Sequence, residues 1–228
     1  MLARRTLLLS GAAALLAATR RLAWAQLPLV VEDWSGLQLG ARGIPLGWEK
    51  FETLGGQADY DFTVVKDEGR RALDMKAAGD HSTITRELRV DLGASPILVW
   101  QWKVVSLPRG ADLTERATSD AAGHLFLGWP RFPALLGSRL IGYVWDRHLP
   151  VGSIVPSRKA GTVTFVVIRR GEQGLGQWTG EARDVAADYR MIFGESPPNP
   201  RAIALSIDTN DTHSTAETLF GPIAFMAG

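Results

Sequence analysis

Ile97-Leu-Val-Trp-Gln-Trp-Lys-Val-Val105 places Trp100, Trp102 and Val104 on one face of an extended segment, because successive side chains of a strand point to opposite sides. Thr162-Val-Thr-Phe-Val-Val-Ile168 repeats the pattern with Val163, Phe165 and Val167 on one side, and Ile203, Leu205 and Ile207 do so again further on. These three sets are the expected core. Both faces of 162–168 are apolar, as suits a central strand of a two-layer sandwich. Working outward, similar short runs recur at Phe62–Val65, Thr83–Val90, His124–Trp129, Leu140–Trp145 and Leu219–Phe225, with Gly, Pro, Asp or Asn between them. That spacing predicts an all-β chain, a two-layer antiparallel β-sandwich of jelly-roll type. Two segments depart from it. Asp112–Gly123 is polar and small, a loop or short helical surface turn. Asp184–Gly194 predicts a short helix, capped by Asp184, ended by Gly194, with Val185, Tyr189 and Ile192/Phe193 on one face.

The 228 residues fit one domain, and 46 % apolar with 21 % charged residues is ordinary globular composition. Four of the 25 basic residues (Arg4, Arg5, Arg20 and Arg21) fall in the first 25 positions, which leaves 21 basic against 24 acidic residues in the remainder. A mildly acidic body gives no electrostatic reason for nucleic-acid binding. The absence of cysteine excludes disulfides, thiolate catalysis, Cys-ligated zinc and lipid acylation at a cysteine.

Met1–Ala25 reads as a cleavable, twin-arginine-like export signal: Arg4-Arg5, an apolar run from Leu7 to Ala18, then Ala23-Trp24-Ala25 as a cleavage site. The run is shorter than the ~20 residues a helix needs to cross a bilayer, so no permanent membrane span is expected after cleavage. The expected mature domain is 26–228, periplasmic or secreted, with the export machinery as a partner.

The motifs Trp100-Gln-Trp102-Lys with Leu107-Pro108, Tyr143-Val-Trp145, Gly176-Gln-Trp178, Arg183-Asp184-Val185 with Asp188-Tyr189 and Phe193-Gly194 stand in order along the chain. Ile207-Asp208-Thr-Asn210-Asp211-Thr212 and Phe220-Gly221-Pro222-Ile223 follow them. Together, over roughly residues 30 to 226, they resemble domain of unknown function 3047, a bacterial family of exported proteins. The chain departs from the family pattern at Ser119-Asp120, where a paired Asp-Asp is usual, and in the order of carboxylates at Asp208–Thr212. The resemblance implies a jelly-roll sandwich of the carbohydrate-binding-module type and no particular reaction.

Aromatic rings are the natural floor of a sugar site, because a pyranose presents an apolar C–H face. Trp129, Tyr143 and Trp145 are the candidate platform, with Asp146 and His148 beside it and Trp178 as a further exposed ring. The alternative for the trio is a place in the core, where Trp commonly sits. Asp208, Asn210 and Asp211 form an oxygen-rich strand exit that suits either a structural calcium ion or a self-capped turn. The four histidines show no zinc spacing. There is no G-x-S-x-G elbow and no E-x-D-x-E strand of the kind that presents its acids on one face. The leading expectation is therefore a non-catalytic glycan-binding sandwich of the cell envelope. The alternatives are a polysaccharide hydrolase or lyase on the same fold and a scaffolding envelope protein.

Overall fold

A computed structural model describes residues 27–51, 58–131 and 137–228, and the export-signal reading of Met1–Ala25 therefore lies outside the described residues. Two sheets stack face to face. The first runs β11 (Thr179–Asp184), β6 (Ile97–Ser106), β13 (Thr215–Met226), β4 (Arg70–Ala78), β3 (Asp61–Asp67), with β1 (Leu29–Glu32) also paired to β13. The second runs β2 (Glu49–Lys50), β5 (His81–Glu87), β12 (Ala202–Asp208), β7 (Ala121–Trp129), β8 (Arg139–Asp146), β10 (Val163–Arg170), β9 (Ile154–Pro156). This is the expected two-layer jelly-roll sandwich, with one difference in strand direction. β8 and β10 pair in parallel, Tyr143 opposite Val166. After β8 the chain does not turn straight back. It passes a Pro150–Ser153 turn, lays down β9 at the sheet edge, and only then fills the gap with β10.

Period-2 alternation builds the core as the sequence predicts for β6, whose Leu98, Trp100, Trp102 and Val104 are buried while their neighbours are partly exposed. Opposite them lie Leu125, Leu127 and Trp129 of β7, Ile141, Tyr143 and Trp145 of β8, and Ile203, Leu205 and Ile207 of β12. Rings meet between the layers: Trp100 stacks on Tyr143 at 5.4 Å and Trp102 lies 5.9 Å from Trp145. A buried ring of this size removes about 150–250 Å² from water, a gross gain of roughly 4–6 kcal/mol each before conformational entropy is set against it. Most of their polar atoms are satisfied inside the fold. Trp129 Nε1 donates to the Pro198 carbonyl (2.7 Å), Trp145 Nε1 to Gly171 (2.8 Å) and Tyr143 Oη to Asp188 (2.9 Å).

One core assignment is reversed. β10 turns Val166 and Ile168 inward, and the Val163, Phe165, Val167 face points out. Periodicity alone does not choose between two apolar faces, but the pairing with β8 does, because Phe165 stands opposite Gly142. A Cβ at Gly142 would come within 2.5 Å of Phe126 and 3.0 Å of Phe165, so the missing side chain makes room for both outward rings. Leu113, from the loop predicted before β7, covers part of this outer apolar cluster together with Leu149 and Val155. That loop contains a short 3-10 turn at Arg116–Thr118.

The predicted helix is present as α1 (Val185–Phe193). Asp184 accepts from the Ala187 amide at its start, and Gly194 ends it with φ 71°, a conformation that costs glycine little. Val185 and Tyr189 are fully buried, with Ile192 and Phe193 packed beside them.

Candidate functional site: a groove on the outer face of the seven-stranded sheet

The outward residues of β5, β12, β7, β8 and β10 fall into register as rows across the sheet. One row reads Ala202, Gly128, Leu140, Val163, and the next Thr85, Ala204, Phe126, Gly142, Phe165. A third reads Thr83, Ser206, His124, Val144, and His81 stands opposite Asp208 at the end. Small residues in the middle strands lower the floor, while Phe51, Phe126 and Phe165 raise the walls. The resulting depression encloses about 190 Å³. It is apolar at the Ala202 end and polar at the Asp208 end.

The polar end is a connected network. His81 Nε2 and Thr83 Oγ1 lie 2.9 Å apart, and Thr83 Oγ1 is 2.7 Å from Ser206 Oγ. His124 stacks on Phe126 with centroids 5.1 Å apart, and its Nδ1 is buried without a hydrogen-bond partner. Burial depresses the His124 pKa to about 3, so the ring is neutral at any physiological pH. Burial, and then the Lys159 ammonium, likewise hold His81 below the usual histidine range.

Beside them, Asp208 and Asp120 share a hydrogen bond. Burial and then the Asp120 carboxylate push the Asp208 pKa to about 8. Burial works to raise Asp120 as well, but the hydroxyl and amide of Thr212, with Asp208 and the Asp211 amide, hold it below its ordinary value. At neutral pH the pair therefore retains one proton, on Asp208. Lys159 reaches in from the loop before β10, where Ser157 Oγ accepts from the amides of Lys159 and Ala160. Its ammonium lies 3.8 Å from Asp208 and forms an ion pair with Asp211.

The groove is not where the sequence placed it. Trp129, Tyr143 and Trp145, the expected platform, are 2 %, 0 % and 1 % exposed. Their alternation is real, but the face they share is the inner one, where Tyr143 and Trp145 pack on Trp100 and Trp102 of the first sheet and Trp129 packs on Tyr189 of α1. Asp146 is buried and accepts from the amides of His148 and Leu149, so it closes a turn, while His148 points to solvent away from that network. Trp178 is half-buried on the outer face of the first sheet, over Gly221, with Nε1 donating to Asp67 and Arg70 above its ring. The expected ligand set is thus divided between the core, a turn and the opposite side of the molecule.

Of the candidate calcium ligands, Asp208 lines the groove, Asp211 pairs with Lys159, and Asn210 donates its amide to Asp208. The cation beside these carboxylates is an ammonium. Among the described residues, no group of three or more His, Asp or Glu side chains is arranged to hold a metal ion. Within the segment Asp208 caps the Asn210 amide, as the self-capped alternative has it, while Asp120, distant in sequence, accepts from the amides of Asp211 and Thr212. The residues that sequence reasoning missed were within reach of the same counting. His124, Phe126 and Gly128 are the other face of the strand that carries Trp129.

These features define a jelly-roll β-sandwich with an amphipathic, aromatic-walled groove on one sheet face. The chain belongs to the DUF3047 family of proteins of unknown function, whose model matches residues 46–224. No curated protein matches the sequence. Among solved structures it is similar to the family 11 carbohydrate-binding module of a cellulosomal cellulase of Clostridium thermocellum. There the identity is 10 %, coverage is 88 % of this chain and 95 % of that one, and the TM-score is 0.43. It is also similar to the xyloglucanase domain of a type three effector from Sinorhizobium fredii (8 % identity, 83 % and 98 % covered, TM-score 0.44). A third similar structure is a carbohydrate-binding module with specific mannan recognition (8 %, 89 % and 99 %, TM-score 0.37). Among the described residues no helix is long and apolar enough to cross a membrane.

Proposed function

We propose that this protein is an exported, non-catalytic glycan-binding sandwich of the cell envelope that holds its ligand in the groove of the seven-stranded sheet. The export signal read in Met1–Ala25 supports the location. The observation that carries the binding reading is the groove's composition. Phe51, Phe126 and Phe165 offer apolar ring surface to the C–H face of a sugar, while Thr83, Thr85, Ser206 and His81 offer polar groups to its hydroxyls.

A hydrolase or lyase on the same fold is the second reading, and Asp208 favours it to the extent that it carries a proton at neutral pH. Hydrolysis of a glycosidic bond, however, uses two carboxyls facing each other at about 5–9.5 Å across the substrate. Among the described residues lining the groove, Asp208 is the one carboxyl, and its partner Asp120 lies against it on the same wall. Binding is the better fit. Titration calorimetry with soluble envelope and plant glycans tests it, with reducing-end release measured on the same mixtures. Saturable heat without new reducing ends is expected. Saturable heat with new reducing ends would convert the binder to an enzyme, and no heat with any glycan would remove the reading.

A further inference from the structure

The groove also carries information about which sugar it takes. At about 190 Å³ it falls below the roughly 300–1,000 Å³ of pockets that engulf drug-sized ligands, so it seats about one ring. A plain hexose carries hydroxyls around its whole rim. The half at the Ala202 end offers them one hydroxyl, that of Thr85, which already donates to the Ile203 carbonyl, among Ala202, Ala204, Gly128, Leu140, Val163 and Phe126. A hydroxyl buried there without a partner costs about 1–3 kcal/mol.

The opposite end is polar but not cationic. Lys159 is already held by Asp211 and Asp208, and Asp120 carries a negative charge close by. A carboxylate on the ligand would find no uncommitted positive charge among the described residues of the lining, and a like charge nearby. What the polar end does offer is the Thr83 and Ser206 hydroxyls, 2.7 Å apart, beside the His124 ring.

We propose that the ligand is an uncharged saccharide with an apolar substituent, of the N-acetylated hexosamine kind, and that the groove discriminates against uronic acids. In this arrangement the acetyl methyl lies on the Ala202–Ala204 floor and the polar rim of the sugar faces His124 and Ser206. The inference rests on the glycan reading above and narrows it.

The test is calorimetry at neutral pH with glucose, N-acetylglucosamine and glucuronic acid, each as monosaccharide and as short oligomer, and with a short-chain fatty acid as an acyl control. The N-acetylated sugar is expected to bind about 10-fold or more tightly than glucose, as apolar contacts of one small group commonly deliver, with no measurable uronate binding. Ala204→Leu, which fills the floor at a partly exposed position, is expected to abolish that preference without unfolding the protein. In amide and methyl NMR spectra the perturbed signals should cluster at Ala202, Ala204 and His124. Equal affinity for glucose and N-acetylglucosamine, or tighter binding of the uronate, overturns the selectivity while leaving the glycan reading standing. Binding of the fatty acid alone, or of no probe at all, overturns the selectivity, and the glycan reading then stands or falls with the wider glycan panel.

Discussion

Asp208 closes β12 with its carboxyl buried beside Asp120, and burial together with that neighbour raises its pKa to about 8. An ordinary carboxyl, as in the unfolded chain, titrates near 3.8, so between those values the folded state binds the extra proton and stability falls as pH rises. His124 acts in the opposite sense. Its folded pKa of about 3 lies below the ordinary 6.5, so its contribution is present above 6.5 and is lost as pH falls towards 3. The two oppose each other from about pH 4 to 6.5, and above that only Asp208 is still titrating. Thermal unfolding should therefore show a loss of roughly 1–2 kcal/mol between pH 6.5 and 8. Asp208→Asn, which keeps a donor towards Asp120, should flatten that slope; an unchanged slope would place the titrating group elsewhere. At the same scale, Trp145→Ala removes a ring that is 1 % exposed and should cost about 3–5 kcal/mol in urea unfolding. Trp145 was legible in the sequence as a strand aromatic. Its orientation was not, because alternation assigns residues to shared faces without saying which face meets the other sheet.

Strands were legible where β-rich runs stand clear between turn residues and were missed where charged residues interrupt them. β6 and β12 were read directly from their alternation, and β7 and β8 as short β-rich runs. β4 was not, although it alternates: its inward Leu73, Met75 and Ala77 are diluted by Arg, Lys, Asp and Ala, and its outward Lys76 pairs with Asp74 and with Glu217 on β13. β11 is a polar edge strand whose Glu181 serves Trp102 and Arg169, a role that appears only once the strands are side by side. β10 carried apolar residues on both faces, and its assignment needed the neighbouring Gly142. That glycine makes an element-level prediction. Gly142→Ala sets a methyl 2.5 Å from Phe126, whose half-buried ring must swing outward. The expected cost is about 1–3 kcal/mol by chemical unfolding, as for overpacking elsewhere. Because Phe126 is a groove wall, glycan affinity should fall by more than the stability change alone accounts for, and full affinity in a destabilised Gly142→Ala protein would take Phe126 out of the site.

Across the whole molecule, the tryptophans and the groove are kept apart, and this determines how binding must be observed. Trp34, Trp48, Trp100, Trp102, Trp129 and Trp145 are each no more than 5 % exposed, and all belong to the core between the sheets. Trp178 lies on the outer face of the other sheet, while Trp24 lies outside the described residues. The edges are equally separate from the site: residues 40–43 hydrogen-bond along β3 and cover its free side, which limits strand addition there. A ligand in the groove therefore touches Phe51, Phe126 and Phe165 but none of the described tryptophans. Intrinsic tryptophan emission should be that of buried indoles, shift to the red only on unfolding, and stay unchanged at a saturating glycan concentration where calorimetry reports binding. A saturable emission shift that disappears in Trp178→Phe would move the ligand to the first sheet. An unchanged spectrum alongside calorimetric saturation keeps it on the seven-stranded face, where the outward sides of β5, β12, β7 and β10 bring ring, hydroxyl and imidazole together.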